Sequence, residues 1–362
     1  MTNGLDGVVA ADTRLSHVDG LRGELVICGY SLDDLAGHIS FEAIAHLLLE
    51  GQFEGLPDRT SFRNYLGAAR LKAFALAAHA DDAILLLEPL EAIRALIARM
   101  PDGDDLDAAL LLLAAPGVLL PMLLRRRVGQ SVIAPDASLS HAQDMLRMLC
   151  GDMPSRVQSD ALDTYLVTIC DHGFNASTFA ARVVASTWAG LTSSFVAGLS
   201  ALKGPLHGGA PGPVLHMLDG IGKPEHAAAW IETALDRGDR LMGFGHRVYK
   251  VRDPRADALK GAVRRLAAGS GVTPGRLHLA ESVEHAALDI LSRRKPGRSL
   301  DVNVEFYTAL LLEALGFPAD AFTAVFACGR AAGWLAHARE QRLTGRLIRP
   351  ESHYIGPRSA AA

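Results

Sequence analysis

The stretch "SLDDLAGHISFEAIAHLLLEG", starting at Ser31, sets the pattern for most of the chain. Apolar positions recur at three- and four-residue spacing, Ser31 and Ser40 stand where helix N-caps are expected, and Gly51 stands where a helix stops. The same periodicity predicts helices over residues 60–80, 82–100, 105–127, 139–151, 158–171, 176–203, 224–238, 253–268, 279–293, 303–316 and 319–341. Upstream, "GVVAADTRLSHVDGLRGELVICGY" (7–30) has short β-branched pieces separated by Asp-Gly and Arg-Gly, which predict a small hairpin. There is no βαβ alternation and no internal repeat. A mainly α protein with a short N-terminal β-hairpin is expected, and 362 residues leave room for two domains.

One run tests a membrane alternative. "AALLLLAAPGVLLPMLL" (108–124) is uncharged and is followed by Arg125, Arg126 and Arg127. A span needs about 20 apolar residues; this run is shorter and broken by Pro116-Gly117 and Pro121, so a helix buried in a helical protein is expected. The 49% hydrophobic content suits a sizeable interior. With 36 basic and 40 acidic residues the net charge is −4, which gives no general pull towards nucleic acid or an anionic membrane. Any anion site must therefore be built locally. Cys28, Cys150, Cys170 and Cys328 lie far apart, without metal-ligand spacing, and fit unpaired thiols in a reduced cytoplasmic setting. The first residues lack the basic and apolar regions of a signal peptide.

Candidate chemistry collects at Gly-rich junctions between predicted helices, where backbone can approach a ligand. In "DHGFNASTFAARVVAST", His172 ends one helix and Asn175 or Ser177 caps the next; a histidine there is also a simple dipole partner. In "LKGPLHGGAPGP", four glycines and three prolines surround His207 and keep bulk away from its imidazole. In "LMGFGHRVYKVRDPRADALK", Gly243 and Gly245 resemble the start of a dinucleotide loop, but the third glycine and a preceding strand are missing. A turn presenting His246 fits better, with Arg247, Lys250, Arg252 and Arg255 forming either a local anion site or a solvated basic face. In "DVNVEFYTALLLEALGFP", Asn303 reads as an N-cap and Glu305 as a first-turn carboxylate, worth roughly 0.3–1 kcal/mol against the helix dipole. A site role for Glu305 stays open.

Taken in order, "HGFNASTFAARV", "LKGPLHGGA", "MGFGHRVYKVRDPRA", "NVEFYTALLLEALG", "FACGRAAGWLAHAREQ" and "GRLIRPESHYIGP" resemble the motifs of the citrate synthase family, and the likeness covers nearly the whole chain. That resemblance implies an acyltransferase that condenses acetyl-CoA with oxaloacetate to citrate and CoA, without metal or redox cofactor. It implies Glu305 as the base, His207 as a neutral donor to the thioester oxygen, Ser177 orienting that imidazole, and His246 as the group that polarises the ketone. Arg255, Arg330 and Arg349 would bind the substrate carboxylates, with Arg349 acting in the partner subunit of a homodimer. His172 would hydrogen-bond oxaloacetate, and Lys250 would meet the CoA phosphates, ahead of Arg247 and Arg252. A large helical domain (1–217 and 320–362) and a small one (218–319) that closes over substrate are implied as well.

Three positions depart from the family pattern. Glu305 stands where Asp is usual, Pro211 where Asn is frequent, and Cys28 where Arg usually precedes Gly-Tyr. Cys28 bears on loop or subunit contacts. Glu305 keeps the carboxylate on an arm one methylene longer, and it motivates a second expectation, a paralogue that binds acyl-CoA or dicarboxylates without turnover. A third is 2-methylcitrate synthase, which takes propionyl-CoA; one methyl group is worth only about 1–3 kcal/mol of discrimination.

Overall fold

Polar caps and glycine stops divide the chain into a succession of helices. The structure, a computed structural model, describes residues 5, 7–77, 80–208, 211–246, 248–269, 274–297 and 300–357. Strand β1 (Ser16–Asp19) pairs antiparallel with β2 (Glu24–Ile27), and β2 with the two-residue β3 (Tyr30–Ser31). The expected hairpin thus carries a third short strand. Helices α1 (Leu32–Leu35) and α2 (Phe41–Leu49) start at Ser31 and Ser40, whose hydroxyls accept from the N–H groups of Asp34 and Ala43. Then come α3 (Arg59–Ala77), α4 (Pro89–Ile97), α5 (Leu106–Arg127), α6 (His141–Cys150), α7 (Arg156–Ile169), α8 (Ala176–Ala185) and α9 (Leu191–Leu202). The chain continues through α10 (Pro211–Ile221), α11 (Ala227–Asp236), α12 (Pro254–Ala268), α13 (Pro274–Arg294), α14 (Val304–Ala314) and α15 (Phe322–Thr344).

Two differences from the sequence pattern have identifiable causes. The segment 176–203 is two helices, because Trp188 (φ +70°) and Gly190 (φ +98°) turn the chain between them. Asp102 locks that turn by accepting from the backbone and hydroxyl of Ser193. Helix α10 lies where Pro and Gly suggested a loop; its prolines, Pro211 and Pro213, fall in the first turn, where no intrahelical N–H is needed. Helix α5 fills the expected 105–127 stretch and runs on through Pro116 and Pro121. Its residues from Ala109 to Leu124 are buried apart from Leu111, so packing against α3, α4, α6, α9 and α15 offsets the lost backbone bonds. Although α5 is long and apolar enough to cross a membrane, 78% of its most apolar window is buried in the fold.

Helix α15 is the buried spine, packed on α2, α4, α5, α7, α8 and α9. Its approach to the end of α7 depends on glycine. A Cβ on Gly333 would lie 2.4 Å from the Cys170 carbonyl oxygen, and one on Gly329 2.7 Å from Ile169. That contact sets Arg330 beside the loop that follows α7. Further on, α10 packs against α14, α11 against α13, and α12 against both α14 and α7.

Candidate active site

His172 sits two residues past the C-cap of α7, in the loop to α8, rather than at a helix end. Asn175 is the N-cap of α8; its Oδ1 accepts from the N–H groups of Ser177 and Thr178, both at 3.1 Å. This cap aims Ser177 at the loop after α9. Ser177 Oγ lies 2.8 Å from His207 Nε2, and the Ser177 N–H donates to the same nitrogen at 3.3 Å. A backbone N–H can only donate, so Nε2 is an acceptor and the neutral ring carries its proton on Nδ1. Trp334 Nε1 donates to Ser177 Oγ at 3.1 Å and fixes the hydroxyl from α15.

The loop bearing His246 is stitched to the start of α14. Phe244 and Val302 form an antiparallel bridge, Gly245 N–H donates to the Asp301 carbonyl, and Asn303 N–H donates to the Gly243 carbonyl. Asn303 Nδ2 donates to the Gly245 carbonyl, while its Oδ1 accepts from Glu305 N–H at 3.0 Å. Gly243 is needed here for close approach: at φ +83°, a Cβ would lie 2.8 Å from the Phe306 ring. The two glycines therefore serve this stitch and not a dinucleotide loop. Buried Asp253, the N-cap of α12, joins the parts. It accepts from the backbone, Nε and Nη2 of Arg255 and from the N–H of Val304 at 2.9–3.1 Å. One carboxylate thus orients a guanidinium and anchors the first turn that carries Glu305.

His172, His207, His246, Arg255, Glu305 and Arg330 all line one cleft of about 640 Å³. Its imidazoles are kept neutral by desolvation, which disfavours their charged forms. Burial, with Arg330 nearby, pushes His207 down to about 4, and burial with Arg255 pushes His246 to about 4. Burial pushes His172 well below its ordinary value, with Arg255 and Arg330 adding to it. Burial raises the Glu305 carboxyl above its ordinary value, opposed by Arg255 and Arg240. Arg330 donates Nε to the Ile169 carbonyl at 2.7 Å, lies over the Phe326 ring, and makes no ion pair among the described residues. Burial lowers it to about 10, so it stays cationic.

Three expected contributors lie elsewhere. Lys250 is exposed and outside the cleft lining, although its charge reaches His246 and its N–H donates to the Gly20 carbonyl. Arg252 pairs with Asp257 and Glu284, which removes it from the anion candidates. Arg349 is exposed on the extended tail after α15 and does not line the cleft of its own chain. Arg247 lies outside the described residues. Sequence reasoning missed Asp253 as a shared anchor, Tyr249, whose hydroxyl lies 3.1 Å from His172 Nε2, and Arg240 on the cleft wall. The first two stand inside the motif already singled out; Arg240 carries no local signal. Leu5, Val8 and Ala10 of the N-terminal segment also line the cleft.

A half-buried carboxylate, a neutral imidazole with one defined donor and two buried guanidiniums around one cleft suit an enzyme that makes and traps a carbanion-like intermediate. The family model "Citrate synthase, C-terminal domain" matches residues 4–351. A citrate synthase of Haloferax volcanii is 36% identical over 98% of this chain and 96% of its own. A 2-methylcitrate synthase of Mycobacterium tuberculosis is 35% identical over 98% of this chain and 90% of its own. Among solved structures, the ternary complex of carboxymethyl coenzyme A and oxaloacetate with the Thermoplasma acidophilum citrate synthase superposes with a TM-score of 0.83. It is 29% identical and covers 98% of this chain and 96% of that one. The chain belongs to the citrate synthase family, and its helical fold is the fold of that family.

Proposed function

We propose that the protein condenses acetyl-CoA with oxaloacetate, then hydrolyses the citryl thioester to citrate and CoA. The observation that carries this reading is the pairing of Glu305 with a neutral His207 in one cleft that also holds Arg255 and Arg330. Glu305 takes a proton from the thioester methyl group, and the electron pair moves onto the thioester oxygen. His207 Nδ1–H donates to that oxygen as charge develops. The enol carbon then attacks the ketone carbon of oxaloacetate.

His246 is suited to the ketone oxygen. Its Nδ1 lies 3.0 Å from the backbone N–H groups of both Val248 and Tyr249, which hold the ring in place. Its Nε2 lies 3.1 Å from Arg255 Nη2, so the imidazole and the guanidinium share one corner of the cleft. A polar ring beside a guanidinium matches a substrate rich in acceptor oxygens. Arg255 and Arg330 bind its carboxylates, His172 adds a hydrogen bond, and exposed Lys250 meets the CoA phosphates. Residues 218–319 move as a small domain against 1–217 and 320–362, closing before the carbon–carbon bond forms so that water enters only for hydrolysis. The reaction draws on no metal or redox cofactor, and the free thiols suit a cytoplasmic setting.

Thiol release from acetyl-CoA and from propionyl-CoA, each with oxaloacetate, tests the reading. The expected result is release that needs both substrates and a larger kcat/KM for acetyl-CoA. Preference for propionyl-CoA would move the protein to the 2-methylcitrate reading favoured by its Mycobacterium relative. Folded protein that binds oxaloacetate but releases no thiol from either would leave a binding paralogue.

The protein acts as a homodimer in which Arg349 completes the partner's site, a reading supported by the placement of Arg349 away from its own cleft. Arg349→Ala should raise the oxaloacetate KM about tenfold or more. Mixing subunits of Arg349→Ala and Glu305→Gln should restore about a quarter of wild-type activity, because half the dimers then hold one intact site. No recovery after verified subunit exchange would place Arg349 in its own chain's chemistry.

A further inference from the structure

Behind the loop that carries His172 lies a buried polar chain that the catalytic scheme does not use. Asp171 is fully buried, and both its carboxylate oxygens lie 3.3 Å from Nε2 of His337 on α15, itself fully buried. On the other side of that ring, Arg182 Nη1 of α8 lies 2.9 Å from Nδ1. A guanidinium only donates, so Nδ1 accepts, the ring proton sits on Nε2, and it points at Asp171. Arg182 is fixed in turn by Glu340 Oε2 at 2.7 Å and Gln341 Oε1 at 3.0 Å. Asp171 Oδ2 also accepts from Ser16 Oγ on β1 and from the N–H of Gly173 at 3.3 Å. The carboxylate therefore closes the turn 171–173 around itself, with Gly173 at φ +59° and His172 between its ends. From the α15 side the turn has no room to relax, since a Cβ on Gly333 would meet Asp171 Oδ1 at 2.7 Å.

We propose that His337 is a positioning residue for keto-acid binding: through Asp171 it holds the 171–173 turn so that His172 faces oxaloacetate. The inference rests on the synthase reading for the identity of the ligand. His337 touches neither substrate, and its effect passes through one carboxylate into one binding contact. Its removal should therefore weaken oxaloacetate and leave the acyl-CoA half of the cleft alone.

The test compares wild type, His337→Phe, His337→Gln and Ser16→Ala by steady-state kinetics and by calorimetric titration with oxaloacetate. In His337→Phe the oxaloacetate KM and Kd should rise about tenfold, while kcat and the acetyl-CoA KM stay within about twofold. His337→Gln, which retains a side-chain N–H donor towards Asp171, should recover most of the loss. If His337→Phe does not fold, Ser16→Ala reaches the same carboxylate from β1 and should show the same oxaloacetate-specific rise. An unchanged oxaloacetate Kd in a folded variant, or equal losses for both substrates, overturns the proposal. Wild type that binds oxaloacetate without turnover sinks the synthase reading, yet the Kd comparison still decides the role of His337. Wild type that does not bind oxaloacetate overturns both.

Discussion

Glu305→Gln should lower kcat by about 10²–10⁴-fold, the range that a positioned general base contributes, with both KM values little changed. The substitution keeps the size of the side chain and leaves the Asn303 cap in place, because that cap binds the Glu305 backbone and not its carboxylate. What it removes is the proton acceptor. Glu305→Asp should fall between wild type and Gln: it retains the charge but withdraws it by one methylene, and a displacement near 1 Å costs on the order of 10²-fold. If Glu305→Gln retained wild-type kcat, another group would have to be the base.

The pH profile gives a second reading of the same residue. Catalysis needs the carboxylate form, and burial raises the Glu305 carboxyl above its ordinary value of 4.5. Activity should therefore fall as pH drops through that raised value. His207 and His246, held at about 4, are still neutral there. The acid limb then belongs to one group, and its slope should be that of a single proton. A limb centred at or below 4 would instead implicate the histidines.

His207→Ala should lower kcat by about 10²–10³-fold, the cost of removing one preorganised donor from a developing oxyanion. The oxaloacetate KM should hardly move, since Arg255 and Arg330 remain in place on α12 and α15. The effect should not depend on pH between about 5 and 8, because the ring is neutral throughout that range. A loss that appeared only in KM would make His207 a binding group.

Much of this arrangement is legible in the chain, because its devices are local. Ser31, Ser40 and Asn303 act as the caps their positions suggest, and the cap and site readings of Glu305 coexist: Asn303 fixes the backbone that points the carboxylate into the cleft. Six of the residues that line the cleft (His172, His207, His246, Arg255, Glu305 and Arg330) could be named from the motifs that resemble the family. Less legible was whatever depends on distant contact. Trp188 and Gly190 divide a stretch of unbroken helical periodicity, and the reason is Asp102, some ninety residues away in sequence. Arg252 reads in the sequence as an available cation, but Glu284, on α13, claims it. Asp253 could be placed as a helix cap, but its hold on Val304 appears only when α12 and α14 are packed together.

Helix α5 has a consequence for how the protein is made. Before α3, α4 and α15 have closed on it, the nascent chain presents a run from Ala108 to Leu124 with no charge at all. Helix α15 is the last of these partners to be synthesised, so the run must wait until α15 has been made to be fully covered. During that interval a second unfolded chain competes with the native partners for the same apolar surface. Yield in cells, and recovery from denaturant in the test tube, are then governed by chain concentration and the availability of holding chaperones more than by native stability.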